Sequence, residues 1–154
     1  MKKKVLYALA KMKMLKGLVE KAGKIGDKFT DLEKTFSEGI LGKELLKKLD
    51  SIEKDLKWML NHNESDSEIV SVKTGEKIKF HIETISDSDI LEMIKAIKAF
   101  KIALFVFADN EEILYDVIEN FLDDSSDIYE DITEELSDLS KECFEIIEKG
   151  KHLL

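Results

Sequence analysis

The sequence holds no proline, no arginine and no glutamine, and only one cysteine and one tryptophan among its 154 residues. The lack of proline removes the strongest helix breaker, and the composition is biased toward residues that sit well in helices. Without arginine the chain has no planar guanidinium fork to grip phosphate or carboxylate with two parallel hydrogen bonds, so any anion site must use lysine or backbone amides. The lone Cys143 excludes an intramolecular disulfide; set within an apolar helical stripe, it reads as a buried structural thiol rather than a nucleophile. Long apolar runs are also missing. The longest uncharged stretch, Ile102 to Ala108, falls well short of the roughly 20 residues a membrane span requires. Lys2, Lys3 and Lys4 resemble the charged start of a signal peptide, but the apolar stretch Val5 to Ala10 is too short and runs into Lys11 and Lys13. A cytoplasmic protein is expected.

What is present points to a folded helical domain. The chain is 44% hydrophobic and 37% charged, far from the signature of disorder, and its length suits a single domain over 1–154. Charge is distributed unevenly. Met1 to Leu60 carries 15 lysines against 9 acids, whereas Lys101 to Leu154 carries 4 against 16, within a net charge of −9. The basic first part and acidic last part are expected to attract each other across a folded bundle.

Apolar spacing supplies the elements. Val5, Ala8, Met12, Leu15, Val19 and Ala22 alternate by three and four and form one helical stripe, with Gly23 and Gly26 as a stop. A second helix is expected from Asp27 or Thr30, where Thr30 and Glu33 make a capping box, through Phe29, Leu32 and Phe36 to Gly39. Leu45, Leu49, Ile52, Leu56 and Met59 define a third helix over 43–60. After a polar, loop-like Asn61 to Ser67, Val70 and Val72, then Ile78, Phe80 and Ile82, alternate with Ser71, Lys73, Lys77, Lys79 and His81. This reads as a β-hairpin at about 68–84 turning through Lys73-Thr74-Gly75-Glu76.

Ser86 to Asp89 offers caps for a helix through Phe107 whose second half is apolar nearly all round, predicting the central and most buried helix. Asp109 with Glu112 looks like another capping box, opening a helix through Leu122. Asp123 to Asp127 suggests a break before a final helix carrying Ile128, Ile132, Leu136, Leu139, Cys143 and Ile146. The expected fold is thus mainly α, a compact bundle of about six helices with one central β-hairpin.

No motif in the chain specifies chemistry. His62, His81 and His152 are far apart, and no His-x-x-x-His or Glu-x-x-His pair offers metal ligands on one helical face, so no metal and no cofactor are expected. The acidic clusters at 109–112 and 123–127 lack the ligand order and mid-loop glycine of a calcium loop. No carboxylate pair stands out among 33 acids, so no catalytic residue is assigned and no small-molecule substrate is evident. Trp58 reads as a core or rim residue.

Three surfaces remain to be weighed. The stripes of the first and last helices suit burial within one chain or across a two-fold axis, so a protein partner or a homo-oligomer is expected, in an adaptor, inhibitor or structural role without enzymatic activity. The alternative is nucleic acid: a lysine-rich helix 43–60 followed by a hairpin has a winged-helix-like outline. It offers Lys43, Lys47, Lys54, Lys57, Lys73, Lys77 and Lys79 as nucleic-acid or anion contacts. Third, the first helix could lie on an anionic membrane surface, or on a partner helix, through Val5, Met12, Leu15 and Val19.

Overall fold

A computed structural model describes residues 2–39, 42–70 and 72–154. In chain order these form α1 (Lys2–Ser37), α2 (Lys43–His62), β1 (Glu64–Val70), β2 (Lys77–Glu83), α3 (Asp87–Val106) and α4 (Glu111–Gly150), followed by a short 3₁₀ turn, Lys151–Leu153. The fold is mainly helical with one antiparallel hairpin, but the described residues contain four α-helices rather than about six.

Both expected breaks are absent, for one physical reason. In α1 the buried series Ala22, Ile25 and Leu32, with Phe29 half-buried between the last two, keeps its three-and-four spacing through Gly23 and Gly26. The stripe never changes phase, so the helix need not end. Each glycine costs about 1 kcal/mol relative to alanine in a helix interior, but Gly26 has a packing role: a Cβ there would collide with the Tyr129 ring. The Tyr129 hydroxyl donates to the Ala22 carbonyl at 2.8 Å, fastening the middle of α4 to the middle of α1. Thr30 caps nothing; its hydroxyl donates to the Gly26 carbonyl within α1.

In α4 the same continuity runs through Phe121, Ser125, Ile128 and Ile132, all buried at spacings of four, three and four. Ser125 holds a core position while Asp123, Asp124 and Asp127 point to solvent. The cap of α4 is Asn110, whose Oδ1 accepts from the Ile113 amide at 3.1 Å, rather than the expected Asp109–Glu112 box.

The helices run up, down, up and down. Val5 lies against Gly150, and Phe29 packs on Phe121, so α1 and α4 are antiparallel over their lengths. Asp55 of α2, buried, pairs with Lys28 at 2.5 Å and Lys21 at 3.5 Å of α1. Lys101 of α3 pairs with Asp50 of α2, and Phe100 stacks on Phe121 with centroids 4.1 Å apart. At 1.5 Å per residue, α1 and α4 extend roughly 54 and 60 Å, whereas α2 and α3 reach only about 30 Å. The hairpin sits beyond the shorter pair, with Phe80 edge-on to Tyr7 near the start of α1.

The hairpin is longer than the sequence indicated. Glu64 to Ser67, expected as loop, pairs with Phe80 to Glu83. The pairing Ile69↔Ile78 puts Ser65, Ser67 and Ile69 beside Ile78, Phe80 and Ile82 on the inner face, where Phe80 and Ile82 are buried. Val70 therefore belongs to the outer face and Val72 is fully exposed beyond the strand, a correction to the expected alternation; Ser71 lies outside the described residues. At the root, the Asn63 carbonyl accepts from the Thr84 amide and hydroxyl at 2.9 and 2.6 Å. The Asn63 side chain donates to the Ile85 carbonyl and to Asp87.

Nor is the second half of α3 buried all round. Ile90, Met93, Ile94, Ile97 and Phe100 fill the core, but Ile102 is 65%, Phe105 86% and Val106 61% exposed. Four helices in a square leave each an outer side, and no helix is central.

Candidate functional site

The loop end of the bundle, opposite the hairpin, carries the main apolar surface. The start of α2 and the end of α3 flank a groove of about 420 Å³ walled by Leu45, Leu46, Leu104, Phe105 and Leu114. Lys101 lies at its side, held by Asp50 and 3.7 Å from Glu53. Ile102, Phe105 and Val106, spaced i, i+3 and i+4, form one exposed helical face that meets the groove at Phe105. Leu46, Ile113 and Tyr115 add exposed apolar area nearby in the fold. Lys43 and Lys47 stand exposed on α2 next to Leu46, and Asp109, Glu111 and Glu112 stand exposed on the α3–α4 connection and the first turn of α4. The α2 shoulder of the apolar surface is thus net basic, with Glu44 also exposed between the two lysines, and the α4 shoulder is acidic. The sequence marks Ile102 and Phe105 as core, and nothing in the spacing of an all-round apolar helix separates them from Phe100.

The seven candidate nucleic-acid lysines do not form one cationic surface. Lys43, Lys47 and Lys54 are exposed along α2, while Lys57 pairs with Glu53 at 3.1 Å. Lys73 lies in the hairpin turn, and Lys77 and Lys79 share the outer face with Glu64, Asp66, Glu68 and Glu83. Glu68 sits opposite Lys79 and 4.0 Å from Lys77. Of the residues suggested for a membrane or partner helix, Val5 and Leu15 are fully buried, Met12 is half-buried and packed on the core, and Val19 is exposed. Engaging a membrane with this stripe would require α1 to leave the bundle.

The basic α1 and acidic α4 are neighbours, yet among the described residues no ion pair joins them. Lysines 21 and 28 pair with Asp55 of α2 instead. Of the α4 carboxylates, Glu148 pairs with Lys151 at 3.1 Å and Glu135 accepts from the Ser86 amide at 3.1 Å, while Asp123, Asp124, Asp127, Glu130 and Asp131 are exposed. Trp58 is half-buried, stacked on His62 at 3.9 Å with Lys21 over its ring. Cys143 is buried, and burial pushes its thiol pKa up, away from thiolate reactivity.

One polar cluster escaped the sequence reading. Strand register sets Glu64 opposite Glu83 and Asp66 opposite His81 on the outer face of the hairpin. His81 Nδ1 is 2.8 Å from Asp66; its Nε2 is 2.7 Å from Glu64 and 3.3 Å from Glu83. The signal was His81-x-Glu83 on one strand, but its cross-strand partners lay in a segment read as loop.

These contacts raise the His81 pKa above 6.5; the Asp66 hydrogen bond is the largest cause, desolvation opposes it, and Glu83 and Glu64 add to it. Any stability the imidazolium lends the hairpin is therefore fully present below pH 6.5 and fades as the pH rises through the folded value. A titration of the His81 ring protons by NMR is expected to give a midpoint above 6.5, and a lower one would contradict the contacts.

No helix among the described residues is long and apolar enough to cross a membrane. Compared with known protein families, curated protein sequences and solved structures, the chain matches none.

Proposed function

We propose that the protein acts by binding rather than by catalysis, and that the apolar loop end of the bundle is its docking surface, with a second copy of the chain as occupant. The observation that carries this reading is the exposed face Ile102, Phe105 and Val106 beside an open apolar groove. Monomeric proteins rarely leave large contiguous apolar patches in water. The shoulders favour self-recognition: a two-fold axis through the patch sets the Lys43 and Lys47 side of one copy against the Glu111 and Glu112 side of the other. A nucleic-acid role has less support, because Lys77 and Lys79 share their face with carboxylates.

Light scattering across micromolar concentrations tests the proposal. The wild-type chain is expected to run as a dimer, and Phe105→Glu to weaken dimerisation by at least about 30-fold, the effect of losing one central anchor worth about 2 kcal/mol. Raised salt should weaken the dimer as the shoulder charges are screened. A wild-type monomer at 100 µM, on the order of the weakest dimer this surface should form, would sink the idea.

A further inference from the structure

We infer that Glu64, His81 and Glu83 form a binding site for a divalent transition-metal ion of the zinc class, with Asp66 as the carboxylate that orients the imidazole. The site lies at the opposite end of the molecule from the docking surface and does not depend on it.

Its geometry starts from the strand pairing. Glu64 and Glu83 face one another directly across the ladder, an arrangement of like charges that weakens a sheet unless a positive particle lies between them. His81 Nε2 points at both, 2.7 Å from Glu64 and 3.3 Å from Glu83. A bare imidazole nitrogen and a carboxylate oxygen are both acceptors, so neither contact is favourable unless a proton or a metal ion fills the space. On the other side of the ring, Nδ1–H donates to Asp66 at 2.8 Å. With Nδ1–H committed to Asp66, the proton that must leave on binding is the one on Nε2, whose lone pair then meets the ion, the second-sphere arrangement that metal-binding histidines use.

The dimensions agree. Ligand atoms of the three residues all lie within 4.8 Å of one another. Zinc bonds of about 2.0–2.2 Å in tetrahedral geometry place ligand atoms about 3.3 Å apart. Small rotations of these exposed side chains reach that spacing, and a fourth position stays open to water. One imidazole and two carboxylates are a borderline-hard set that suits zinc, cobalt or manganese better than a thiolate-seeking ion.

The ion competes with a proton for the same slot. Binding releases the Nε2 proton of His81, so affinity falls as the pH drops. The groups that face His81 are Asp66, Glu64 and Glu83, with Glu68 and Lys79 on the next rung.

Titration of the full chain with zinc chloride in metal-free buffer at pH 7.5, followed by calorimetry and by the His81 ring signals, tests the site. One ion per chain should bind, saturating below about 1 mM. His81→Ala should abolish binding, and Asp66→Asn should weaken it about 10- to 100-fold. Glu64→Gln combined with Glu83→Gln should also abolish binding while the backbone amide signals of β1 and β2 keep their positions, which separates loss of ligands from unfolding of the hairpin. His62→Asn should leave binding unchanged. No saturable binding by 1 mM, on the order of the weakest affinity a specific site would show, or binding that survives His81→Ala, overturns the proposal.

Discussion

Ser126→Pro is expected to lower the unfolding free energy by about 3 kcal/mol or more, because it removes a backbone hydrogen bond and forces a carbonyl clash in the middle of a continuous helix. Ser126 is exposed, so the variant changes the backbone without disturbing the core. For a chain of this size that loss corresponds to a melting temperature lower by roughly 6–12 °C. Ser126→Ala serves as the control and should be neutral or slightly stabilising, since alanine is the better helix former. If Asp123 to Asp127 were a break between two helices, proline would be tolerated there. Equal urea midpoints for Ser126→Pro and wild type would therefore contradict an unbroken α4.

The other large effect concerns the point where three helices meet. Phe121 of α4 stacks on Phe100 of α3 with an interplanar angle of 11°, and tilts against Phe29 of α1 at 6.4 Å. Phe100 in turn meets Phe36 of α1 edge-on at 5.7 Å. Phe121→Ala removes the central ring of this series, leaving a cavity that neighbours on three rigid helices cannot close. A loss of about 3–5 kcal/mol is expected. A double-mutant cycle with Phe100→Ala should show coupling of about 0.5–1.5 kcal/mol beyond the separate losses. Simple additivity in chemical denaturation would mean the rings do not support one another.

How much of this was readable beforehand depended on the kind of signal. The α2 stripe Leu45, Leu49, Ile52, Leu56 and Met59 is buried throughout, and Ser86 does cap α3, because spacing and capping act within a few residues. The second strand was equally legible from Ile78, Phe80 and Ile82. Gly26 and the Asp123–Asp127 cluster carry the local signature of helix breaks, whereas the phase running through Ile25 and Ser125 belongs to two unbroken helices. Phase is set by the neighbour that each face meets, and Tyr129 against Gly26 is a contact between residues about a hundred positions apart. The start of β1 was hidden because its inward positions are Ser65 and Ser67, which carry no apolar alternation. The exposed apolar face at the end of α3 is visible in the sequence only as composition, since a helix apolar all round does not reveal which neighbours exist to cover it. The His81 cluster depends on strand register, which fixes partners 15 to 19 positions apart.

The root of the hairpin has a further consequence. Asn63 and Thr84 are joined by a backbone hydrogen bond of 2.9 Å, so the chain leaves the bundle and returns at nearly one point. Everything distal to that clasp is an excursion whose length does not alter the spacing of α2 and α3. The turn at 73–76 is exposed and passes through Gly75 with φ of +71°. It is therefore a natural place to graft a foreign loop, an epitope or a reporter domain, leaving the four helices to fold as before.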